Sequence, residues 1–421
     1  MSPFVRAFCC HRGVEAVKDH HPPATEALSP EAWGLYLHIP FCERKCPYCD
    51  FTIAVLAHPP ELPYIDAMER EMVTRSREYR GKLSTIYVGG GTPGMLSPAS
   101  VHALGASLDR VFGARSLDEF TVEFNPEHAD EARLRAWYGI GARRLSLGVQ
   151  ALDARALQLL GREHDEALVR AAVARARAIG FEHISVDFIF GLPGIDAAVT
   201  LSDVARGVAI EGVDHVSMYE LTIEPRTLFG VQQRRGLLTS PPDDDIVAQW
   251  GALVRVVEAA GLARYEVSNY ARPAAKALHN SSYWRGRPYL GVGVGASSLW
   301  VSPEGAGVRR QTNVRALRAY LQDPLAGAEV EALTPSEHLG ELLALGLRTR
   351  EGVALASLER RFGLELPVVE GALQAMAREG TLTASAARTF GATDEGMAIA
   401  DTLALRALEA LDSDLRACVL G

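Results

Sequence analysis

Six times along the chain a short apolar strand signal runs into a loop of chemically conspicuous residues and then into a helical pattern. This alternation limits the fold more than any other feature. The strand signals are Leu35–Ile39, Ser84–Val88, Glu119–Phe124, Arg144–Leu147, His183–Phe190 and His215–Tyr219. Between them, residues 61–79 place Leu62, Ile65, Met68, Glu69 and Met72 at helical steps, and residues 97–112 open with Ser97-Pro98, a cap followed by proline. Residues 153–160 and 165–179 supply two more helices, the second ending at Gly180. Strand–helix alternation of this kind predicts an α/β protein with a parallel sheet, and six units predict a partial (βα)6 barrel. The conspicuous residues all fall just after strands: three cysteines, a triple glycine, Glu123, Gln150 and Asp187. In βα barrels that is where chemistry sits.

The organisation beyond the barrel follows from shifts in pattern. Residues 1–30, with Cys9, Cys10, Pro22 and Pro23, show no period and read as a mobile extension. Residues 31–262 form the core barrel, and 263–330 are a flanking segment rich in aromatics and glycine. From 331 to 421 the pattern is helical. Thr334-Pro335-Ser336-Glu337 is a capping box. Helices near 354–362 and 367–378 and a last one over 394–410 make this a small helical, winged-helix-like domain. Its lack of a basic stripe, with a net charge of -9 over 421 residues, argues against nucleic-acid binding. No apolar run reaches the roughly 18 residues of a membrane span, and residues 1–30 lack a signal-peptide core.

Three of the six cysteines, Cys42, Cys46 and Cys49, stand at C-x3-C-x2-C spacing. A four-iron cluster offers four corners, usually taken by four thiolates. Three thiolates leave one iron open for another ligand. The competing reading is zinc, which needs four tetrahedral ligands. No second C-x2-C pair exists, the remaining cysteines being Cys9, Cys10 and Cys418, and His38 is the nearest fourth donor. Free thiolates suit a reducing cytoplasm.

Gly89-Gly90-Gly91-Thr92-Pro93 follows the second strand and lets a ligand approach bare backbone; the alternative is a tight turn. Glu123 ends a strand, and Asp187 lies inside the apolar run Ile184–Phe190. A buried carboxylate is either paired structurally or used chemically. Gln150 and Arg162 say little by themselves.

Together these motifs resemble the radical S-adenosylmethionine (SAM) superfamily, in which C-x3-C-x2-C is the signature. The resemblance implies a 4Fe-4S cluster on Cys42, Cys46 and Cys49, with SAM capping the open iron and cleaved to a 5′-deoxyadenosyl radical. It narrows further. Tyr36 through Phe51, Glu123-x-Asn125-Pro126, Arg144-Leu145-Ser146-x-Gly148-Val149-Gln150, Leu160-Gly161-Arg162-x-His164, Asp187-x3-Gly191-Leu192-Pro193-Gly194 and Tyr265-Glu266-Val267-Ser268-Asn269-Tyr270 are similar to the oxygen-independent coproporphyrinogen III oxidase group. The family pattern implies that Tyr36, Tyr48, Gly90, Gly91, Thr92, Glu123, Gln150, Arg162 and Asp187 line the SAM region.

Within that group, true oxidases carry a fourth cysteine where this chain has Phe51. The HemW heme-chaperone branch has Cys-Pro-Tyr-Cys-Asp-Phe, as here, and a His-Asn-x-x-Tyr-Trp motif, present as His279, Asn280, Tyr283 and Trp284. The resemblance therefore implies a protein that binds heme and hands it to an acceptor, with an electron donor, neither nameable from sequence. His279 is expected as an axial ligand or against the heme, and Arg285 and Arg287 as propionate partners. An oxidase that decarboxylates two propionates, and an interaction protein with a vestigial cluster, are the alternatives.

Overall fold

The computed structural model describes residues 32–113, 116–302 and 307–420, without the side chains of 418–420. The extension with Cys9 and Cys10, and the Cys418 side chain, lie outside the described residues.

The expected alternation is present. Strands β1 (Ala32–Ile39), β2 (Lys82–Gly90), β3 (Glu119–Phe124), β4 (Arg144–Gln150), β5 (His183–Phe190) and β6 (His215–Glu220) are parallel neighbours in chain order. Helices α1 (Glu61–Arg75), α2 (Pro98–Phe112), α3 (Glu131–Gly139), α4 (Ala154–Leu160), α5 (Glu166–Ile179) and α6 (Ala197–Val208) connect them, and α7 (Leu228–Arg234) and α8 (Asp243–Ala259) follow β6. Ser97 caps α2 through the Ser100 N–H at 3.3 Å, as its sequence predicts.

Each strand has two unlike faces. Leu35, Leu37, Ile86, Val88, Val122, Leu145, Leu147, Ile184 and Val186 are buried in the layer between sheet and helices. The alternate positions, Tyr36, His38, Thr85, Tyr87, Thr121, Glu123, Ser146, Ser185, Asp187 and Ser217, are polar and face the lumen. Parallel strands usually bury two apolar faces. Here burial of the second face rests on hydrogen bonds instead.

The segment 263–330 does more than flank the barrel. Strands β7 (Ala263–Arg264) and β8 (Asn269–Ala271) extend the sheet beyond β6 in antiparallel fashion. Helix α9 (Leu278–Trp284) follows, and then β9 (Tyr289–Val292) pairs parallel to β1 at the opposite edge. Strands β10 (Ser297–Val301), β11 (Val308–Thr312) and β12 (Glu329–Leu333) continue outward, giving twelve strands in order β12-β11-β10-β9-β1-β2-β3-β4-β5-β6-β8-β7. The chain between β8 and β9 therefore crosses the open barrel from edge to edge. It crosses at the N-terminal ends of the strands. Glu119, the first residue of β3, accepts from the N–H groups of Leu278 (2.7 Å) and His279 (3.1 Å), and Arg144, the first residue of β4, donates to the Ala275 carbonyl (2.8 Å). This segment is the floor of the barrel.

A short helix, α10 (Leu317–Gln322), leads toward the C-terminal domain, which has its own apolar core around Leu339, Leu343, Leu373, Met376, Phe390 and Leu403. The expected capping box opens α11 (Pro335–Gly346), with reciprocal bonds between Thr334 and Glu337. Helices α12 (Leu355–Phe362) and α13 (Pro367–Arg378) also match the sequence reading. The expected last helix is two, α14 (Asp394–Ala398) and α15 (Ala400–Leu420), because Ile399 between them leaves helical geometry at φ -120°. A three-stranded antiparallel sheet of Val353–Ala354, Thr389–Ala392 and Leu382–Ala384 completes a winged arrangement. Among the described residues no helix is long and apolar enough to cross a membrane.

One buried carboxylate ties the added strands to the barrel. Glu71 on α1 accepts from Arg75 (2.7 Å), Asn313 (2.7 Å), Tyr320 (2.6 Å) and the Gly293 N–H (3.0 Å). Glu71→Ala would leave the Arg75 guanidinium, 6% exposed, without its carboxylate. We expect a loss of about 3–5 kcal/mol in denaturant unfolding, the usual cost of stranding one member of a buried pair.

Candidate functional site

The three cysteines lie on the loop after β1, half-buried and free. The loop is pinned at several points. Phe41–Cys42 pairs with Ala54–Val55, and the Ala54 N–H donates to the Pro40 carbonyl at 2.7 Å. The N–H groups of Gly91 and Thr92 donate to Ile39 and Phe41 at 2.7 and 2.8 Å, and that of Phe229 to Pro47 at 3.0 Å. A turn from the Cys49 N–H to the Cys46 carbonyl (3.2 Å) brings these two cysteines round. Cys42 Sγ lies 3.6 Å from Thr92 Oγ1. Burial pushes the Cys42 thiol up to about 11 and raises Cys49 as well. Three neighbouring thiolates are thus unfavourable here unless a cation neutralises them.

Among the described residues no three His, Cys, Asp or Glu side chains gather tightly enough to hold a single metal ion. Tetrahedral zinc would need its thiolates about 3.8 Å apart, given Zn–S bonds of about 2.3 Å. Three free, half-buried cysteines on one pinned loop are the kind of donor set a cluster takes at separate iron corners. His38, the nearest fourth donor for zinc, is committed elsewhere. Its Nε2 donates to the Thr52 carbonyl (2.7 Å), so its Nδ1 accepts from the Tyr36 hydroxyl (3.0 Å). Burial lowers its basicity and keeps it neutral.

The glycine loop approaches its surroundings as closely as bare backbone permits. A Cβ on Gly89 would lie 2.8 Å from the Glu123 carboxyl, and one on Gly91 2.7 Å from the Pro40 carbonyl carbon. Gly90 adopts φ +113° and packs against the His38 ring. Its N–H donates to Glu123 Oε2 (3.1 Å), while the Tyr87 hydroxyl donates to Oε1 (2.6 Å). Burial pushes the Glu123 carboxyl up to about 7. Asp187, also raised by burial, accepts from Ser146 (2.8 Å) and Ser185 (3.0 Å).

The remaining expected residues join the same mouth. The Arg162 side chain is 6% exposed and donates to the Gly148 carbonyl at 2.7 Å. Tyr48 packs against Phe229, ring centroids 6.4 Å apart, and burial raises its hydroxyl. Gln150 sits at φ +65°, just past a register shift between β4 and β5. A non-glycine residue in that region at a bulge marks a side chain re-aimed by strain. Tyr36 stacks on Tyr87 at 6.2 Å.

The heme motif lies elsewhere, on α9 in the floor. His279 is fully buried; its Nδ1 is 2.8 Å from Thr85 Oγ1 and its Nε2 2.8 Å from the Tyr283 hydroxyl. Burial pushes the imidazole down to about 3, so it is neutral. Its ring stacks on Tyr87 (5.3 Å), and Tyr283 meets it edge-on (5.0 Å). With both ring nitrogens engaged, neither is free to ligate iron in this arrangement. Asn280 and Trp284 are half-buried on the same helix. Arg285, expected to meet a propionate, pairs instead with Glu351 through Nε (2.9 Å) and Nη2 (2.5 Å), and Arg287 is exposed.

Sequence reasoning passed over Thr85, Tyr87, Ser185 and His215, and named Ser146 and Tyr265 only as members of motifs. His215 links Ser185 (2.8 Å) to the Tyr265 hydroxyl (2.8 Å). Counting back by two from Asp187 would have found Ser185; the other strand members share the lumen face but stand on neighbouring strands, whose register the sequence does not carry.

Between pH 4.5 and 7 the folded protein keeps a proton on Glu123 that the unfolded chain releases. Its contribution therefore falls as pH rises through that window. Glu123→Gln should flatten this dependence, by up to about 3 kcal/mol at neutral pH. Denaturant titrations of both proteins at pH 5, 6 and 7.5 check it.

Residues 36–198 match the Radical SAM superfamily, and residues 333–399 the HemN C-terminal domain. The heme chaperone HemW of Bacillus subtilis is 34% identical over 337 residues, covering 79% of this chain and 87% of that protein. HemW of Synechocystis is 35% identical over 334 residues, covering 77% and 79%. A mitochondrial radical S-adenosyl methionine domain-containing protein 1 of Mus musculus is 34% identical over 340 residues, covering 79% and 76%. Among solved structures, the coproporphyrinogen III oxidase HemN of Escherichia coli superposes with a TM-score of 0.74 over 90% of each chain at 22% identity, a likeness of fold. On these similarities the chain belongs to the HemW family of the radical SAM superfamily.

Proposed function

We propose that this chain is a heme chaperone, binding heme and a SAM-ligated 4Fe-4S cluster and passing heme to an acceptor protein. The observation that carries the reading is a mouth with three thiols among the described residues. Phe51, where the resemblance puts the fourth cysteine of true oxidases, is 68% exposed beside it. Relatives covering most of this chain bear the heme-chaperone name.

Cys42, Cys46 and Cys49 would hold the cluster, which with SAM supplies one-electron chemistry when bound. The residues around it bind and orient. Gly90, Gly91 and Thr92 present backbone at the mouth. Glu123, protonated up to about pH 7, offers either a donor or an acceptor near neutrality. Arg162, anchored on Gly148, keeps a fixed cation beside the thiols, and Tyr36, Tyr48, Gln150 and Asp187 complete the wall. Heme is assigned to the helix of His279, Asn280, Tyr283 and Trp284. The free thiols suit a reducing compartment, and we place the protein in the cytoplasm.

Three outcomes are expected. After anaerobic reconstitution the parent carries about four iron and four sulfide per chain. The triple variant Cys42→Ala, Cys46→Ala, Cys49→Ala loses both, along with the electron paramagnetic resonance signal; a retained signal refutes the assignment. With SAM, reductant and coproporphyrinogen III, no steady protoporphyrinogen forms, and its formation would make the chain an oxidase. His279→Ala, which loses two buried hydrogen bonds, weakens heme binding about tenfold while iron and sulfide stay unchanged. Unchanged affinity and absorption spectrum remove His279 from the heme site.

A further inference from the structure

Helix α9 has two faces. His279 and Tyr283, four residues apart, point into the barrel. Ser281, Trp284 and Arg285 point the other way, into a cleft of about 510 Å³ whose far wall is the C-terminal domain. The apolar lining includes Trp284, Leu342, Val353 and Leu358. The charged lining is mostly cationic, with Lys276, Arg285, Arg350 and Arg361 against Glu266 and Glu351. That is unusual in a chain with 52 acidic and 43 basic residues.

The cations are not equivalent. Arg285 is neutralised by Glu351, and Arg350 by Asp394 at 2.5 Å. Glu266 is fully buried and accepts from the Ser268 N–H (2.9 Å) and from Asn269. Arg361 has no carboxylate within ion-pair distance among the described residues. Its guanidinium meets only the His338 Nε2 (3.0 Å) and the Phe362 ring (5.5 Å). Lys276, exposed on the opposite wall, lies over the Tyr265 ring at 5.7 Å and likewise has no ion-pair partner. A half-buried guanidinium without a counter-ion is costly, and burial depresses its basicity. An anion entering the cleft would remove that cost.

We propose that this interdomain cleft is the heme-binding site, with the macrocycle against Trp284 and Leu358 and the propionates at Arg361 and Lys276. The inference rests on the heme-chaperone reading and deepens it. It asks for a ligand that is broad and apolar with carboxylates at one edge, and a porphyrin dicarboxylate has that chemistry. In this arrangement His279 is a positioning residue. It locks α9 to Thr85 in the barrel so that Trp284 faces the cleft, and it does not touch the ligand. The cleft lies beyond the floor, at the opposite end of the strands from the cysteine loop. It is bounded on its far side by the C-terminal domain.

The test is hemin titration of the full-length protein, read by absorbance and by tryptophan fluorescence quenching. Arg361→Gln, and Ser357→Trp, which fills the cleft from an exposed position on α12, should each weaken hemin binding about tenfold or more. Lys276→Gln should act in the same direction from the other wall. Arg360→Gln, an exposed neighbour outside the cleft, should leave binding unchanged, and circular dichroism should show every variant folded. Hemin dimethyl ester, whose propionates are masked, should bind parent and Arg361→Gln alike yet still be excluded by Ser357→Trp. If the parent binds hemin and these variants bind it equally well, the cleft is refuted while the heme-chaperone reading stands. If the parent binds no hemin, both fall.

Discussion

A polar lumen inside a parallel sheet is stable only if nearly every group in it has a partner, and the rest of this structure follows from meeting that condition. The inward positions of β2 through β6 carry hydroxyls, carboxyls and imidazoles that are buried or half-buried. They are satisfied across strands, Tyr87 on Glu123, Ser146 on Asp187 and Ser185 on His215, and along one strand, Ser185 on Asp187. Toward the N-terminal ends of the strands the partners run out, and the chain from β7 onward supplies them. Tyr265 meets His215, the Ala275 carbonyl meets Arg144, the first turn of α9 meets Glu119, and His279 meets Thr85. The floor is thus a set of hydrogen-bond partners delivered by one crossing segment. Its removal would leave several buried polar groups unpaired at once, each costing about 1–3 kcal/mol.

The same arrangement separates the molecule into two chemical ends. At the C-terminal ends of the strands, glycine backbone, strained Gln150 and a pinned loop of free thiols surround an opening. At the N-terminal ends, aromatic rings and neutral imidazole close the lumen. The two ends are joined by stacked or hydrogen-bonded side chains. Tyr36 stacks on Tyr87, which stacks on His279, and Asp187 connects through Ser185 and His215 to Tyr265. Tyr265 is also where the C-terminal domain is clipped on: its carbonyl accepts from the Arg350 N–H, and Glu266 bridges to Thr349. The interdomain cleft is therefore in direct structural contact with the lumen.

The strand–helix alternation, the position of reactive residues after strands, the caps at Ser97 and Thr334 and the three-thiol motif were all determined by the amino-acid sequence. These depend on local periodicity and on groups within a few residues of one another. Even the polar lumen was foreshadowed by Asp187 inside an apolar run. Only the tertiary structure decided the rest, because it depends on partners far apart in the chain. Periodicity could not show that residues 263–330 would add strands to both edges of one sheet, since edge pairing is set by which backbone groups remain unsatisfied. Nor could it show that His38 would brace the cysteine loop, or that Arg285 would be taken by Glu351, 66 residues away. The motif of His279 and Trp284 was legible as six letters. That its histidine faces the barrel and its tryptophan a cleft was decided by a single turn of helix held between Glu119 and the C-terminal domain.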